Sequence, residues 1–598
     1  DQDPNKREKL VDQLLNDHHN YTQHWLTFWN DLLRNDYSGT GFITGGRKQI
    51  TDWLYSSLLS NKPYNQMVKE LVNPVEASEG FIKGIKWRGV VNASQSTEMQ
   101  AAQNISQSLM GMNLKCASCH NSFVSNLTLE QAYGFASIFA DSALELNRCD
   151  QPLGRMAKPE FLYTELGEVE ADSIRGRLLR LSEIMVKPEN GRLYRTITNR
   201  IWRQLMGRGI VEPVDEMDQP PWNADLLDWL AADFIDSGYD LKHLIRNILT
   251  SMTYQLPAVG YPEIADITAN DYLFEGPVIR RLSAEQFTDA LSQIAAPVYY
   301  ATAYSPEMEE ISANRIWHRE VKFDRDVLPD PGDRYFRYVF PIKDQTTIDS
   351  AQLLLSVDHS FELFLNGQRL GQGNDWRKVL KLDVAHVLHS GDNLIAIKGS
   401  NEGSIANPAG ILLALKIIDE HGAVQLISSN TDWKSTADEP GPGWNELLYD
   451  DGEWAKVKNY GSKHWDHLVA MTFKDANQTF ARASLVRQHP FMKALGRPTR
   501  ENIATTRADR ATLLQALELT NGEYFNNVLL DGAERWLSEY GENTEEIARS
   551  LYLQAYGRPP NSKEMKVLSN TFGDTTDQAS MQDLLWATVL SPEFQFIY

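Results

Sequence analysis

The sequence predicts an α+β multidomain protein, a mainly α-helical body with an inserted, jelly-roll-like antiparallel β-sandwich. Three observations support this prediction. The chain has 598 residues, more than one hydrophobic core usually organises. Apolar residues recur at helical spacing over residues 5–290 and again over 477–598. Between these stretches, residues 334–457 form short alternating runs separated by turn residues, which is typical of antiparallel strands.

These changes of pattern divide the chain into four predicted segments. Residues 1–160 are expected to form a helical domain, and residues 161–311 the first part of a helical partner domain. The β-sandwich is expected at residues 312–465, and the second part of the partner domain at 466–598. The sandwich is thus predicted to be an insertion that interrupts the partner domain.

Local patterns predict individual elements. Apolar side chains of residues 98–112 recur every three or four positions, which predicts a helix with one buried face. A second helix is expected after Thr128, because Gln131 stands three residues later as a capping-box partner. In the sandwich, Asn366-Gly367 predicts a tight turn between two paired strands. Similar apolar stripes predict helices at 195–206, 224–236 and 241–254.

Composition and charge exclude several classes of function. The chain has 58 Lys and Arg against 80 Asp and Glu, which gives a formal net charge of −22. A field of that sign repels phosphate backbones, so we expect no nucleic-acid partner. No run of about 18 apolar residues occurs, so we expect no transmembrane segment. Three cysteines are too few for a disulfide-stapled scaffold, yet two of them stand close together.

Those two cysteines belong to the segment Cys116-Ala-Ser-Cys119-His120. Cys-x-x-Cys-His is the signature of c-type haem attachment. Each thiol adds to one vinyl group of the porphyrin, and two intervening residues let both sulfurs reach the same ring edge. The adjacent histidine then stands under the iron as its proximal ligand. We therefore predict covalent haem c, held by Cys116 and Cys119 and ligated at the iron by His120.

Two other interpretations of the cysteines stay open. Cys116, Cys119 and His120 could form a zinc site with the third cysteine, Cys149. Alternatively, Cys116 and Cys119 could form a disulfide and leave Cys149 free. The sequence assigns no role to Cys149 and does not choose a sixth haem ligand. Candidates for that ligand are Met110, Met112, Met156, Met185, His18, His19 and His24.

Three further motifs allow a functional interpretation, although a structural role is the commoner explanation of each. Arginines in the segment NRIWRQLMGRG could pair with haem propionates, but ordinary ion pairs with the excess carboxylates are the commoner role. The glycine-rich residues 41–47 lack the Lys-Ser/Thr of a phosphate-binding loop. His464 and His467 could hold a metal, but a surface hinge explains them as well. The arginines concerned are Arg200, Arg203 and Arg208.

Longer motifs surround the cysteine segment: HWLTFWNDLLRND, ITDWLYSSL, NKPYNQMVKELVNP, WRGVVNASQ and MNLKCASCHNSF. Through them the N-terminal half resembles a bacterial domain of unknown function first noted in planctomycetes and named for a cytochrome-c-like motif. The next part resembles its usual partner domain, through LYRTITNRIWRQLMGRGIVEPVDEMD and RRLSAEQFTDAL. That partner domain resumes after the sandwich with MKALGRPTRENIATTR. The resemblance implies an exported c-type haem protein of undefined activity.

The inserted segment carries the runs YFRYVFPI, SVDHSFELFLNGQRLG, GDNLIAIKGSN and PAGILLALKI. Through them it resembles a galactose-binding-like jelly roll. Such domains accompany many polysaccharide-active enzymes, so the resemblance implies a polysaccharide partner. Trp433, Trp444 and Trp454 are candidate sugar contacts if they are exposed, because aromatic faces pack against sugar C–H groups. The alternative is that these tryptophans fill the core or support loops.

These observations combine into one expected function. We expect an exported c-type haem protein for electron transfer or oxidoreduction, acting on or near polysaccharides, in the periplasm, at the cell surface or secreted. As an enzyme it would be a haem-dependent oxidoreductase, with a polysaccharide or a redox protein as its partner. The first residues show no signal segment, so we expect that a leader was removed or lies outside this chain. The alternatives are a carbohydrate-binding or scaffold protein with a structural Cys/His site, and a polysaccharide hydrolase or lyase.

Overall fold

The structure is a computed structural model, and its contacts divide the chain into two compact units. The helical unit comprises Asp1–Ala296 and Arg487–Tyr598, and the sandwich unit comprises Pro297–Val486. Helices together with several antiparallel sheets confirm the predicted α+β multidomain class. The four-segment boundaries stay a prediction. The described residues are 3–36, 48–83, 92–260, 267–299, 303–304, 313–322, 325–343, 348–376, 379–419, 424–461, 480–507, 511–573 and 575–598.

All of the described α-helices lie in the helical unit. The predicted capping box is confirmed, because the amide of Gln131 donates to Oγ1 of Thr128 (3.2 Å) and the amide of Thr128 donates to Oε1 of Gln131 (2.9 Å). Among the described residues, no helix combines the length and the apolar character that a membrane span requires. The helices are α1 Lys6–Asn16, α2 His18–Leu32, α3 Lys48–Leu59, α4 Tyr64–Val72, α5 Gly80–Lys83, α6 Thr97–Met110, α7 Leu129–Ser137, α8 Ile174–Met185, α9 Gly191–Met206, α10 Ala224–Asp236, α11 Leu241–Thr250, α12 Ala284–Ile294, α13 Pro490–Ala494, α14 Leu513–Asn521, α15 Glu523–Tyr540, α16 Thr544–Tyr556, α17 Ser562–Phe572, α18 Gln578–Leu590 and α19 Pro592–Gln595.

The helical unit also contains a β-hairpin that the sequence patterns do not predict. Its strands, β1 (Glu145–Arg148) and β2 (Gln151–Met156), are joined by the two-residue turn Cys149-Asp150. Both turn residues have positive φ, 47° and 66°, as in a type I′ turn. Every residue of β2 is exposed, so the strand lacks the alternation that marks a half-buried strand in sequence. A separate antiparallel pair in this unit joins β3 (Arg280–Arg281) to β18 (Phe596–Ile597).

Three arginines and two carboxylates form a buried group in the helical unit, which we call the arginine cluster. Nε of Arg500 donates to Oδ1 of Asp31 (2.8 Å), and Nε of Arg507 donates to Oδ2 of the same carboxylate (2.8 Å). Glu285 accepts from Arg507 (3.1 Å) and lies 3.4 Å from Nε of Arg497. Both carboxylates are less than 10% exposed. The cluster therefore joins α2 and α12 to the chain that follows the sandwich.

That chain, residues 497–507, is the return segment. The amide of Ala504 donates to the carbonyl of Asp31 (3.1 Å), and Thr505 donates to the carboxylate of Asp215 (2.7 Å). Asp215 in turn accepts from Arg200 on α9 (2.9 Å). The return segment thus completes contacts between helices that precede the sandwich in sequence.

The described strands of the sandwich unit form two large antiparallel sheets and a small β5–β6 pair. One sheet has the strand order β10-β9-β12-β7-β15-β16, and the other has the order β11-β8-β13-β4-β17 with β14 beside β13. The predicted turn at Asn366-Gly367 is confirmed, since both residues have positive φ between paired strands. The strands are β4 Ile316–Trp317, β5 Val321–Lys322, β6 Arg325–Asp326, β7 Gly332–Ile342, β8 Ile348–Val357, β9 Phe361–Leu365, β10 Gln368–Gly373, β11 Leu380–Asp383, β12 Gly391–Asn401, β13 Ile411–Asp419, β14 Val424–Ser428, β15 Lys434–Thr436, β16 Ala455–Lys456 and β17 Lys458–Asn459.

Alternate residues of these strands point into one apolar core. Phe336, Leu355, Ile397 and Leu413 come from β7, β8, β12 and β13, and each is fully buried there. Burial of side chains of this size contributes about 1.5 to 3 kcal/mol each. The polar residues between them point outward, and they give the sheet of β9, β12 and β7 a charged outer face.

Candidate functional site

The segment Cys116–His120 folds as one helical turn between α6 and α7. The amide of Cys119 donates to the carbonyl of Cys116 (3.1 Å), and the amide of His120 donates to the same carbonyl (3.2 Å). Gly111 ends α6 with a φ of 59°, and a Cβ at this position would lie 2.5 Å from Cγ of Met217. The chain therefore needs glycine to turn from α6 into this segment.

This turn has a buried side and an exposed side. Ala117 and Ser118, the two residues between the cysteines, are 0% and 2% exposed. Cys116, Cys119 and His120 are half-buried, so they stand at the protein surface. Packing of the two intervening residues therefore directs both thiols and the imidazole outward.

Gln103 of α6 fixes the turn to the helix that precedes it. Its amide Nε2 donates to Oγ of Ser118 (3.1 Å) and to the carbonyl of Ser94 (3.3 Å). Ser118 itself donates to the carbonyl of Lys115 (2.7 Å). These bonds support the turn from its buried side.

The imidazole of His120 has one nitrogen engaged. Nδ1 lies 2.7 Å from the carbonyl oxygen of Asn121, and a carbonyl can only accept, so Nδ1 carries the proton in the neutral ring. Nε2 then presents a lone pair. Hydrogen bonding of one ring nitrogen to a carbonyl is the usual way in which proteins orient a metal-ligating histidine.

Two apolar side chains stand beside His120 at the surface. The Phe123 ring lies 4.5 Å from the imidazole, measured between centroids, and it is 87% exposed. Val124 is 64% exposed. Covering apolar groups of this size lowers the free energy of the protein, so this surface suits a flat apolar ligand.

The third cysteine lies against the same turn, although it is distant in sequence. The amide of Cys149 donates to the carbonyl of Cys119 (3.1 Å), and its Sγ lies 3.8 Å from that oxygen. The neighbouring Asp150 accepts from the amide of Ala93 (2.8 Å). Both residues of the hairpin turn are therefore tied to the region around the Cys-x-x-Cys-His segment.

Cys116, Cys119 and Cys149 are all free thiols, without a disulfide between them. Within the described ranges, no three His, Cys, Asp or Glu side chains are grouped as they would be to hold a metal ion. A zinc site would require four such ligands to converge on one point.

The candidate sixth ligands have other contacts. Met110 and Met185 are fully buried, and Met112 accepts a hydrogen bond from the hydroxyl of Tyr163 (3.4 Å). Met156 is exposed on β2. The remaining candidates pack in the N-terminal helices: Nδ1 of His18 lies 2.9 Å from Nζ of Lys242, Nδ1 of His19 lies 3.3 Å from the hydroxyl of Tyr55, and His24 packs against Trp25.

The three arginines considered for haem propionates have protein partners. Arg200 donates to the carbonyls of Gln107 and Ser108 and to Asp215, Arg203 pairs with Glu212, and Arg208 donates to the carbonyl of Ile267. These contacts support the alternative that the arginines serve packing. Residues 41–47 and the His464–His467 pair lie outside the described residues.

The structure separates the three tryptophans considered as sugar contacts. The prediction for Trp433 is wrong, because this side chain is 0% exposed and stacks on Tyr338 inside the sandwich core (5.3 Å between centroids). Trp444 and Trp454 are half-buried. The buried guanidinium of Arg337 anchors the loop that carries both, since it donates to the carbonyl of Trp444 and to the carboxylate of Asp451.

A groove of about 540 Å³ lies on the outer face of the β10-β9-β12-β7 sheet, and we call it the sheet groove. Glu362 of β9 pairs in register with Lys398 of β12 on one side and with Gln372 of β10 on the other. Lys398 also lies opposite Tyr335, whose ring packs against Trp444 (5.1 Å). The groove is lined by Asp333, Ser360, Phe361, Glu362, Gln372, Gly373, Asn374, Lys398 and Ser400.

Two charged groups of the sheet groove, Lys398 and Asp333, favour each other's ionised form. Nζ of Lys398 lies 2.9 Å from Oδ2 of Asp333, and this contact raises the pKa of Lys398. Burial alone would raise the pKa of Asp333, but hydrogen bonds from Ser400 and Lys398 outweigh it and lower that pKa. The groove therefore presents fixed donors and acceptors, an arrangement that suits a polyhydroxyl ligand.

Two family profiles match this chain. Residues 1–143 match PSCyt2, described as a protein of unknown function (DUF1549). Residues 177–344 and 457–572 match PSD1, also described as a protein of unknown function (DUF1553). These matches confirm the predicted planctomycete-type pair of domains. The gap in the second match falls within the sandwich unit.

An α-L-rhamnosidase of Streptomyces avermitilis is 30% identical to this chain over 154 residues, which are 24% of this chain and 14% of the relative. The chain thus spans about one seventh of the length of that relative. Among solved structures, the S. avermitilis α-L-rhamnosidase complexed with L-rhamnose is 28% identical (TM-score 0.23; 27% of this chain, 15% of that chain). The lectin of Pleurotus ostreatus in complex with GalNAc is 19% identical (TM-score 0.22; 37% of this chain, 52% of that chain).

Proposed function

We propose that this chain, which carries the DUF1549 and DUF1553 domains, is a c-type haem protein of redox function. The observation that carries the proposal is the single helical turn that directs Cys116, Cys119 and His120 outward from a buried Ala-Ser pair. In such a turn both thiols face the same side, where one porphyrin edge can meet them. Haem attachment occurs outside the bacterial cytoplasm, so an exported protein forms part of the proposal.

The residues around the turn fit a haem group. Cys116 and Cys119 would hold it covalently, and His120 would supply Nε2 as the iron ligand while Asn121 keeps the ring oriented through Nδ1. Phe123 would lose exposed apolar surface against the porphyrin plane. A bound haem would supply reversible one-electron transfer at its iron, tuned by the axial ligands and by burial.

Covalent haem and its ligation by His120 can be tested in one experiment. The protein is produced with a haem-maturation system, and we expect a haem-stained band on a denaturing gel and a sharp α band after reduction. In His120→Ala we expect the stained band to persist, because both thioethers remain, while the α band shifts or broadens because the iron loses a nitrogen ligand. A colourless wild-type protein that contains stoichiometric zinc would overturn the proposal. An unchanged spectrum in His120→Ala would exclude this histidine as the ligand.

Carbohydrate binding by the sandwich unit is a second candidate function. The sheet groove favours it, because charged and amide side chains line it. A second support is the 30% identical stretch in a protein named as an α-L-rhamnosidase. Together these observations suggest a glycan-related role in which the sheet groove contacts the sugar and the Cys-x-x-Cys-His turn serves a separate redox function.

Lys398→Ala tests the sheet groove. We expect the affinity for a rhamnose-containing polysaccharide, measured by isothermal titration on the full chain, to fall at least tenfold, because the substitution removes a central donor and leaves Asp333 without it. Lys456→Ala is the matched control, since that lysine is 60% exposed on β16 at the far edge of the same sheet. Absence of heat with wild-type protein, or equal losses in both variants, would contradict the proposal.

A further inference from the structure

Cys149 has no part in the proposed haem site, yet the fold brings it to that site. We propose that Cys119 and Cys149 form a disulfide by exchange with a small external disulfide such as oxidised glutathione. The site of this thiol–disulfide modification is the contact between the hairpin turn and the Cys-x-x-Cys-His turn. This inference stands on the positions of the thiols and requires no bound haem.

The first support is the distance between the two backbones. The amide of Cys149 donates to the carbonyl of Cys119 at 3.1 Å. Residues that exchange backbone hydrogen bonds across an antiparallel sheet have Cα atoms about 5.5 Å apart, and a single bond of this length brings two backbones to a similar separation. Disulfides occur at Cα separations of about 4.4 to 6.8 Å, so the bond requires side-chain rotation and little backbone movement. The side chain of Cys149 already lies against the backbone of Cys119, because its Sγ lies 3.8 Å from the carbonyl oxygen of that residue.

The second support is the unusual backbone of Cys149. Its φ is 47°, a left-handed conformation that glycine and asparagine adopt readily and cysteine seldom does. The register of the hairpin holds the turn in this conformation, as does the hydrogen bond that the amide of Ala93 donates to Oδ1 of Asp150 (2.8 Å). The turn thus places a cysteine where glycine or asparagine would cost less, and the surrounding hydrogen bonds keep it against Cys119 despite that cost.

The third support is access to reagents. Cys149 is exposed and Cys119 half-buried, and both are free thiols. The thiolate of Cys149 would attack the external disulfide, form a mixed disulfide and release one thiolate. The thiolate of Cys119 would then attack the sulfur of Cys149 and release the second. Overall, two protein thiols are oxidised to one disulfide, and the external disulfide is reduced to two thiols.

Such a bond would have a consequence for the proposed function. When the sulfur of Cys119 is bonded to Cys149, it cannot add to a vinyl group of the porphyrin. If the haem proposal is correct, only protein with the reduced pair accepts haem at Cys119. The effect on haem attachment rests on the proposed function, whereas the disulfide itself does not.

Trypsin can locate the bond in the protein made without haem. Cleavage after Lys115 and Arg148 places Cys116 and Cys119 on the peptide 116–148, and places Cys149 on the peptide 149–155. The full chain is equilibrated with mixtures of reduced and oxidised glutathione, alkylated, digested and analysed by mass spectrometry without reduction. We expect the two peptides to be linked under oxidising conditions in the wild type and in Cys116→Ser.

The matched variant Cys119→Ser identifies the partner of Cys149. We expect the linked peptides to disappear in this variant and to persist in Cys116→Ser. The inference is overturned if Cys149 stays alkylated in the wild type and in Cys116→Ser, or if Cys119→Ser keeps the link. Far-ultraviolet circular dichroism shows whether each variant is folded. If the peptides link as expected but the reduced protein attaches no haem in the maturation system, the haem proposal alone is refuted.

Discussion

Glu285→Gln is expected to destabilise the helical unit by about 3 to 5 kcal/mol. This carboxylate is 4% exposed and contacts the guanidinium groups of Arg497, Arg500 and Arg507. The amide keeps the shape of the side chain but removes its charge, so three buried cations are left with Asp31 as their carboxylate partner in the cluster. Urea denaturation followed by far-ultraviolet circular dichroism measures the effect, because the described α-helices lie in this unit.

An exposed ion pair provides the control for this prediction. Glu545 pairs with Arg549 one turn later on α16, and both side chains are more than half exposed. We expect Glu545→Gln to change the free energy of unfolding by about 0.3 to 0.5 kcal/mol. Similar effects of the two substitutions would show that the arginine cluster is no more important for stability than a surface pair.

The same carboxylate predicts a dependence of stability on pH. Burial would raise the pKa of Glu285, but Arg507, Arg497 and Arg500 outweigh it and lower the pKa to about 2. A carboxyl whose pKa is depressed by folding stabilises the protein above its unfolded pKa, about 4.3. That contribution is lost as the pH falls through the folded value. We therefore expect the difference in stability between wild type and Glu285→Gln to shrink between about pH 4.3 and pH 2.

Replacing Cys116 and Cys119 together with alanine is expected to abolish covalent haem. Both sulfurs that could form thioethers are then absent, and Cys149 lies outside the Cys-x-x-Cys-His spacing. After expression with the maturation system, the denaturing gel should show no haem-stained band at the size of the protein. The cysteines are half-buried at the surface, so the fold should persist, and circular dichroism can verify this.

Cys149→Ala is the matched variant for this experiment. It removes one thiol from the same surface and keeps the Cys-x-x-Cys-His segment, so we expect wild-type amounts of covalent haem. A stained band in the double variant would refute attachment through Cys116 and Cys119. Loss of the band in Cys149→Ala would mean that haem attachment needs the third thiol as well.

Features coded by neighbouring residues could be predicted from the sequence. The Thr128–Gln131 capping box and the Asn366-Gly367 turn each depend on residues within one turn of the chain, and both occur as expected.

Features that depend on contacts between distant segments could not be predicted in this way. The second strand of the hairpin that carries Cys149 is fully exposed, so no alternation of apolar and polar residues marks it in the sequence. The turn itself is Cys-Asp and contains no glycine. The burial of Trp433 depends on its stacking with Tyr338 of the neighbouring strand β7. The sheet groove could have been suspected from outward residues such as Glu362 and Lys398, but its shape depends on strand register.

The return segment also determines when the helical unit can become complete during synthesis. Asp31 leaves the ribosome early, but its partners Arg500 and Arg507 follow only after Pro297–Val486 has been made. At about 5 to 20 residues per second, the sandwich alone delays them by roughly 10 to 40 s. During that interval Asp31 lacks the cations that it contacts in the folded unit. The arginine cluster can therefore form only after the whole sandwich unit has been synthesised.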